Sequence, residues 1–261
     1  MAAEHNQQDE EQSPKASRPR GIYLLPNLFT TAALFAAFYS IIAAVKGYFD
    51  TAAIAIFIAM AADTLDGRVA RMTNTQSDFG AEYDSLSDMI AFGLAPALLA
   101  YTWALSQLGK FGWLTAFWYV AATALRLARF NTQSHDEDKR YFQGIPSPAA
   151  AAAVTTTVWF CVANHITASF FVAILLAILT ALVAALMVST IRYHSFKQID
   201  LKGKVPFFVV LIPVLMMTAV AMDPPEVLFA MFIAYVLSGP ILTLWQIRKV
   251  RREAKANRKA K

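Results

Sequence analysis

Repeated apolar runs of about twenty residues limit this 261-residue chain to one class of fold. A transmembrane α-helix needs about 20 mostly apolar residues to cross a hydrocarbon core of ~30 Å. With 57% hydrophobic residues and a mean hydropathy of +0.45, the chain can supply several such helices. The sequence therefore predicts an all-α, polytopic membrane bundle of about eight transmembrane helices.

The predicted spans follow a polar N-terminal segment. Residues 1–20 mix acidic and basic side chains and contain no apolar run before a cleavage site. We therefore predict a disordered cytosolic tail and not a signal peptide. The spans cover roughly residues 26–46, 50–73, 78–108, 112–131, 146–166, 169–190, 205–222 and 226–246.

The basic residues predict the orientation of the bundle. With the N-terminus in the cytosol, 21 of the 23 Lys and Arg residues are cytosolic, and only Lys46 and Lys110 face outward. Basic residues concentrate in cytosolic loops, so this bias predicts an N-in, C-in topology. The net charge of +5 lies mainly in these loops and in the basic tail 248–261, where it attracts anionic lipid head groups. The charge therefore indicates a lipid bilayer as partner, and no nucleic acid.

Four aspartates interrupt the apolar pattern of the second and third spans. Asp63 and Asp66 are three residues apart, and Asp84 and Asp88 are four apart, so each pair shares one helix face. Folding the chain back near residue 75 as an antiparallel hairpin brings Asp63 level with Asp88 and Asp66 level with Asp84. Each charge at the bilayer centre costs at least ~2.5–3.5 kcal/mol, so such residues normally line a functional cavity.

Carboxylates without Cys or His ligands suit hard cations such as Mg²⁺ or Mn²⁺. The single cysteine, Cys161, is predicted to be inert packing, and the four histidines form no cluster along the sequence. Two divalent ions can clamp the attacking and leaving oxygens of a phosphoryl displacement. Small residues beside the acids, Gly67, Ala70 and Gly80, leave room for a ligand, and Arg71 can offer a forked donor to a phosphate. The pattern predicts a metal-assisted pyrophosphate site.

This pattern resembles the complete signature of the CDP-alcohol phosphotransferase family. The match is Asp63-x-x-Asp66-Gly67-x-x-Ala70-Arg71, eight further residues, then Gly80-x-x-x-Asp84-x-x-x-Asp88, with no departure at any motif position. The resemblance implies a core of about six helices, residues 21–190, which is usually dimeric. The two helices within residues 191–247 would be an addition to this core.

The resemblance also implies roles for individual residues. Two divalent ions would be held by Asp63, Asp66, Asp84 and Asp88. The CDP group of a lipid donor would be contacted by Asp66, Gly67, Arg71 and Gly80. Asp88 would also be the general base.

Within the family, three further stretches resemble the integral-membrane bacterial members that transfer a phosphatidyl group from CDP-diacylglycerol to L-serine. These are residues 25–31, 126–131 and 144–150. Asn27 and Thr30 would contact the nucleotide or satisfy neighbouring backbone groups. Arg126 and Arg129, on one helix face, would bind the serine carboxylate or a lipid phosphate, or serve only as topology anchors. The resemblance implies a bacterial inner membrane, and the predicted N-in, C-in topology opens the site to the cytosol.

Other interpretations of the site remain open at this stage. Glycerol 3-phosphate or an inositol phosphate could be the acceptor, and an archaeal-type lipid could be the donor. Intramembrane acids also form cation pathways, so a divalent cation transporter is the non-enzyme alternative. Against a transporter, the charged residues and histidine in the outer halves of the predicted spans lie only at the outer ends, so none continues the path from the aspartates: Lys46, Asp50, His165 and Glu226.

Overall fold

The computed structural model describes residues 24–73, 75, 77–132, 141–194 and 207–259. Within these ranges the protein is a bundle of helices with one short pair of antiparallel strands, which confirms the predicted all-α class. The helices are α1 (Leu24–Val45), α2 (Phe49–Thr73), α3 (Asp78–Asp88), α4 (Ala95–Trp103), α5 (Lys110–Thr132), α6 (Ser147–Ala163), α7 (Phe170–Val188), α8 (Phe207–Met222) and α9 (Pro224–Lys259). A π-helical segment (Met89–Leu94) joins α3 to α4, and a 3₁₀ turn (Leu105–Leu108) follows α4.

Helices α1 and α2 pack closely along their length because alanines line the surface between them. Ala37 and Ala44 of α1 and Ala52 and Ala59 of α2 are buried. Small side chains let helix backbones approach each other within a membrane. Ser40 strengthens this contact by donating a hydrogen bond of 2.8 Å to the Ala52 carbonyl.

The third predicted span is interrupted, which the sequence analysis did not anticipate. It consists of α3, the π-helical segment and α4 in place of one continuous helix over residues 78–108. Pro96 accounts for the interruption, because proline has no N–H to donate to the carbonyl four residues earlier and its ring crowds that carbonyl. The regular α-helical ladder therefore changes at this point.

The alanine-rich helix α6 forms the centre of the bundle, and α2, α4, α7 and α9 pack against it. The two strands, β1 (Tyr141–Gln143) and β2 (Arg192–His194), pair antiparallel with Phe142 opposite Tyr193. This pairing holds the start of α6 next to the end of α7.

Several apolar helices indicate an integral membrane protein. Among the described residues, four helical stretches are long and apolar enough to cross a membrane: Asn27–Val45, Asp78–Trp103, Phe170–Val188 and Pro224–Thr243. The eight-span count and the N-in, C-in orientation stay predictions. The predicted N-terminal tail lies outside the described residues, whereas α9 continues through most of the predicted basic tail, to Lys259.

Candidate active site

Three aspartates from two helices converge near the connection between α2 and α3. Asp63 and Asp66 lie in the C-terminal half of α2, and Asp84 lies on α3. One carboxylate oxygen from each of the three lies within 4.8 Å of the other two. The i, i+3 spacing on α2 places its two carboxylates on one face, toward α3.

Helix α1 holds the two acidic helices in place. Thr30 Oγ1 donates a 2.7 Å hydrogen bond to Asp66 Oδ2, and the Thr30 backbone carbonyl accepts a 3.2 Å bond from the Ser87 hydroxyl of α3. Thr31 and Tyr83 form a second link between α1 and α3, at 2.9 Å. The sequence predicts that α2 and α3 pack against each other as a hairpin. Instead both pack chiefly against α1, and the carboxylates meet across a cleft.

The donor atoms of this cluster fit a divalent cation. All three side chains offer carboxylate oxygens, which are the ligands that hard cations prefer. One oxygen of Asp84, Oδ1, is buried and has no hydrogen-bond partner among the described residues. A buried charged oxygen without a partner is costly, and a bound cation would satisfy it.

A cavity of about 230 Å³ opens beside the aspartates. Its lining includes Asn27 and Thr30 of α1, Asp66, Gly67 and Arg71 of α2, and Gly80 and Asp84 of α3. The structure thus brings together all the residues that the sequence analysis assigned to a CDP-lipid site.

The glycines keep this cavity open. A Cβ atom on Gly67 would lie 3.7 Å from an Arg71 guanidinium nitrogen, so the arginine covers the space that the missing side chain leaves. A Cβ atom on Gly80 would lie 3.1 Å from Ser77 Oγ and 3.6 Å from Asn27 Oδ1. A larger residue at position 80 would crowd Ser77 and Asn27 at the N-terminal end of α3.

Asp88 has different surroundings from the other three aspartates. Its carboxyl group is in hydrogen-bonding contact with that of Asp63, yet it stands outside the group of three mutually close carboxylates. The Arg126 guanidinium of α5 lies near it. Asp88 therefore lies between the acidic cluster and the positively charged side chain of Arg126.

Arg126 also ties α5 to the start of α6. Its Nε donates a 2.8 Å hydrogen bond to the Ile145 carbonyl, and its Nη1 donates a 3.1 Å bond to Ser147 Oγ. These bonds use two of the five N–H donors of the guanidinium. Arg129 follows about one turn later on α5 and lies near Arg126, as expected from the i, i+3 spacing.

Sequence reasoning missed two contributions to this region. Tyr235 of α9 lies near Arg126, so one of the two additional helices reaches the site. Nothing in the local sequence marks this tyrosine, because its position depends on how α9 packs on α6. The second contribution is the π-helical segment after Asp88, for which Pro96 inside an apolar span was an available signal.

The fold and site define a class: an integral membrane helix bundle with an all-oxygen cluster, suited to divalent cations, beside a polar cavity. The sequence model of the CDP-alcohol phosphatidyltransferase family matches residues 23–181. The chain belongs to this family, as the aspartate pattern indicated.

Several relatives carry a more specific name. A Helicobacter pylori protein named CDP-diacylglycerol–serine O-phosphatidyltransferase is 38% identical over 229 residues, covering 88% of this chain and 94% of that protein. Proteins of the same name from Methanocaldococcus jannaschii and Bacillus subtilis are 40% identical over 141 residues and 37% identical over 148 residues. These matches cover 54% and 57% of this chain, and 62% and 77% of those proteins.

Proposed function

We propose that the protein transfers the phosphatidyl group of CDP-diacylglycerol to the hydroxyl of L-serine, which gives phosphatidylserine and CMP. The observation that carries this proposal is the aspartate cluster beside a cavity lined by six of the eight fixed residues of the family motif. The high-coverage similarity to a protein named for this reaction favours serine as the acceptor.

Asp63, Asp66, Asp84 and Asp88 would hold two Mg²⁺ or Mn²⁺ ions. When bound, these ions neutralise charge on the pyrophosphate and on the leaving CMP. The Asp84 Oδ1 atom, which has no hydrogen-bond partner within the described part of the chain, supports a ligand role for that residue in particular.

The cavity would bind the CDP part of the donor. Arg71 offers paired N–H groups that match the geometry of a phosphate, and the absent side chains of Gly67 and Gly80 let the nucleotide approach the backbone. Asn27 and Thr30 would complete this subsite from α1. Thr30 also orients Asp66 through its 2.7 Å hydrogen bond.

Asp88 would act as the general base. The serine hydroxyl attacks the β-phosphorus, which bears the diacylglycerol, and Asp88 accepts the hydroxyl proton while the bond to CMP breaks. A positioned base contributes about 10²–10⁴-fold to such a step. Arg126 and Arg129 would bind the serine carboxylate beside this base.

The membrane setting is part of the proposal. We infer an enzyme of the bacterial inner membrane with eight spans, both termini in the cytosol, and a site open to the cytosol. Residues 21–190 would form the catalytic core of a homodimer, followed by two further helices.

The alternatives differ in the acceptor or in the class of protein. An acceptor such as glycerol 3-phosphate or an inositol phosphate would need further basic residues for its own phosphate, and an archaeal-type lipid could replace the donor. A divalent cation transporter would need polar groups through the bundle. Among the described residues, Asp66, with 6% of its surface exposed, is the only carboxylate or cationic side chain that is buried.

The decisive experiment supplies purified protein with CDP-diacylglycerol, Mg²⁺ or Mn²⁺, and a panel of alcohols, and identifies the lipid product by mass spectrometry. We expect phosphatidylserine and equimolar CMP with serine, and loss of both with EDTA while the protein stays folded. A product with another alcohol only would reassign the acceptor. Turnover undiminished by EDTA would contradict the metal roles.

A further inference from the structure

The π-helical segment begins directly after Asp88, so its geometry fixes how the preceding turn meets the rest of the helix. The Ala95 N–H donates to the Ile90 carbonyl, five residues earlier, as in a π-helix. In a regular α-helix the Phe92 carbonyl would accept from the N–H of residue 96, which is proline. That carbonyl is therefore deprived of its α-helical donor.

A side chain from another helix supplies a donor. The hydroxyl of Tyr119, on α5, donates a 3.0 Å hydrogen bond to the Phe92 carbonyl. Tyr119 is 0% exposed, and Phe92 is equally buried. A buried hydroxyl and a buried carbonyl both require partners, so this bond offsets the loss of the α-helical donor to the Phe92 carbonyl.

The same face of α5 carries further contacts with this segment. Thr123 follows Tyr119 by one turn, and its Cβ and Cγ2 atoms lie 3.3 Å from where a Cβ of Gly93 would be. Arg126 follows at the next turn and lies near Asp88. Tyr119, Thr123 and Arg126 thus connect α5 to the residues that follow Asp88 and to Asp88 itself.

We propose that Tyr119 is a positioning residue for Asp88. By donating to the Phe92 carbonyl it holds the π-helical segment, and the segment sets the direction of the last turn of α3, where Asp88 lies. This inference rests on the proposed role of Asp88 as the base. It assigns to Tyr119 no contact with substrate or metal.

The test removes only the hydroxyl, with Tyr119→Phe. We expect kcat per folded protein to fall about 10- to 100-fold, because small displacements of a reacting group are costly. The KM for CDP-diacylglycerol should stay within about twofold, because the cavity residues lie on α1, α2 and the start of α3. Amide hydrogen exchange over residues 89–95 should accelerate in metal-free and metal-loaded protein alike.

The matched control is Thr115→Val, which removes another α5 hydroxyl that bonds a carbonyl, that of Phe111. It should change neither kcat nor exchange over residues 89–95. An unchanged kcat in Tyr119→Phe would overturn the inference, and so would an equal loss in the control.

A second variant separates positioning from stability. Pro96→Ala restores an N–H for the Phe92 carbonyl within the helix, so it favours a regular α-helix and should lower kcat while keeping or raising Tm. Asp88→Asn is measured in parallel. If that variant keeps its activity, the proposed base is wrong. If it loses activity while Tyr119→Phe does not, only the role of Tyr119 is wrong.

Discussion

The four motif aspartates have identical side chains but different partners, and these partners suggest different tasks. Asp66 accepts a hydrogen bond from Thr30, and Asp88 lies between Asp63 and Arg126. Asp84 keeps a buried oxygen that no described residue contacts by a hydrogen bond. A carboxylate already held by a neutral donor, like Asp66, has a fixed direction and suits a metal ligand. The Asp88 carboxylate, with Asp63 on one side and the Arg126 guanidinium on the other, suits proton transfer from a charged substrate.

Asp88→Asn separates these tasks. Asparagine keeps the shape and one coordinating oxygen but cannot accept the hydroxyl proton, so we expect kcat to fall about 10²–10⁴-fold with CDP-diacylglycerol binding retained. Steady-state kinetics and binding of the lipid to the inactive variant measure the two effects. Near-normal kcat would exclude Asp88 as the base. Asp84→Asn serves as the comparison, and it should weaken Mg²⁺ or Mn²⁺ binding.

Arg126→Ala tests the acceptor subsite. The loss of a hydrogen bond to a charged group costs about 1.5–3 kcal/mol, so the KM for serine should rise about 10- to 150-fold, with a smaller change for the lipid. A smaller rise in the same direction is expected for Arg129→Ala. Steady-state kinetics with each substrate varied in turn measures both.

Arg126 also holds the start of α6 through hydrogen bonds, so a control must separate this role from serine binding. Ser147→Ala removes the hydroxyl that Nη1 contacts but keeps the guanidinium charge. It should leave the KM for serine nearly unchanged. Equal effects of Arg126→Ala on both substrates would favour a lipid-phosphate role or a purely structural one.

At the scale of helices, α1 organises the site although it carries none of its acids. Its Thr30 hydrogen bonds to α2 through the side chain and to α3 through the carbonyl. Thr30→Val removes the bond to Asp66 at nearly constant shape. Lost support of a metal ligand typically costs about 10- to 100-fold in metal affinity or activity, so more Mg²⁺ should be needed for half-maximal activity.

Thr31→Val is the matched control for that prediction. Thr31 also carries a hydroxyl at the same end of α1, but it bonds Tyr83 and the Asn27 carbonyl and no site aspartate. Titration of activity and of Tm with Mg²⁺ should shift for Thr30→Val only. The same shift in both variants would indicate that the whole end of α1 had moved.

The helix positions and the acidic faces could be predicted from sequence because both depend on local periodicity. Asp63 and Asp66 share a face through the helical repeat alone, and their pairing with Asp88 and Asp84 follows from one reversal of the chain. The packing partners could not be predicted in this way. That α1 packs against both α2 and α3, and that Tyr235 reaches Arg126, depends on contacts between residues far apart in sequence.

The interruption after Asp88 could be predicted only in part. Pro96 within a predicted span signals a defect in the helix, but it does not indicate whether the result is a kink or a π-helical segment. The Tyr119 hydroxyl favours the second outcome, and its position depends on the packing of α5.

For the whole molecule, the site lies toward one end of the bundle. Asp63 and Asp66 lie in the C-terminal half of α2, whereas Lys46 lies three residues before its first residue, at the other end. Lys46 and Lys110, the first residue of α5, are both exposed, and α5 ends near Arg129 and the site. If the positive-inside rule holds, the aspartates face the cytosol and the two lysines face outward.

Single-cysteine labelling tests this orientation. Cys161 is first replaced by Ala, and one cysteine is then introduced at position 13, 46, 110 or 260. A membrane-impermeant maleimide applied to intact spheroplasts should label Lys46→Cys and Lys110→Cys. It should label Ser13→Cys and Ala260→Cys only after permeabilisation, because both termini are predicted to be cytosolic. Labelling of one terminus alone would contradict the even number of spans, and labelling of both termini in intact spheroplasts would show the reverse orientation. The aspartate site would then open away from the compartment that supplies serine and CDP-diacylglycerol, which would contradict the proposed reaction.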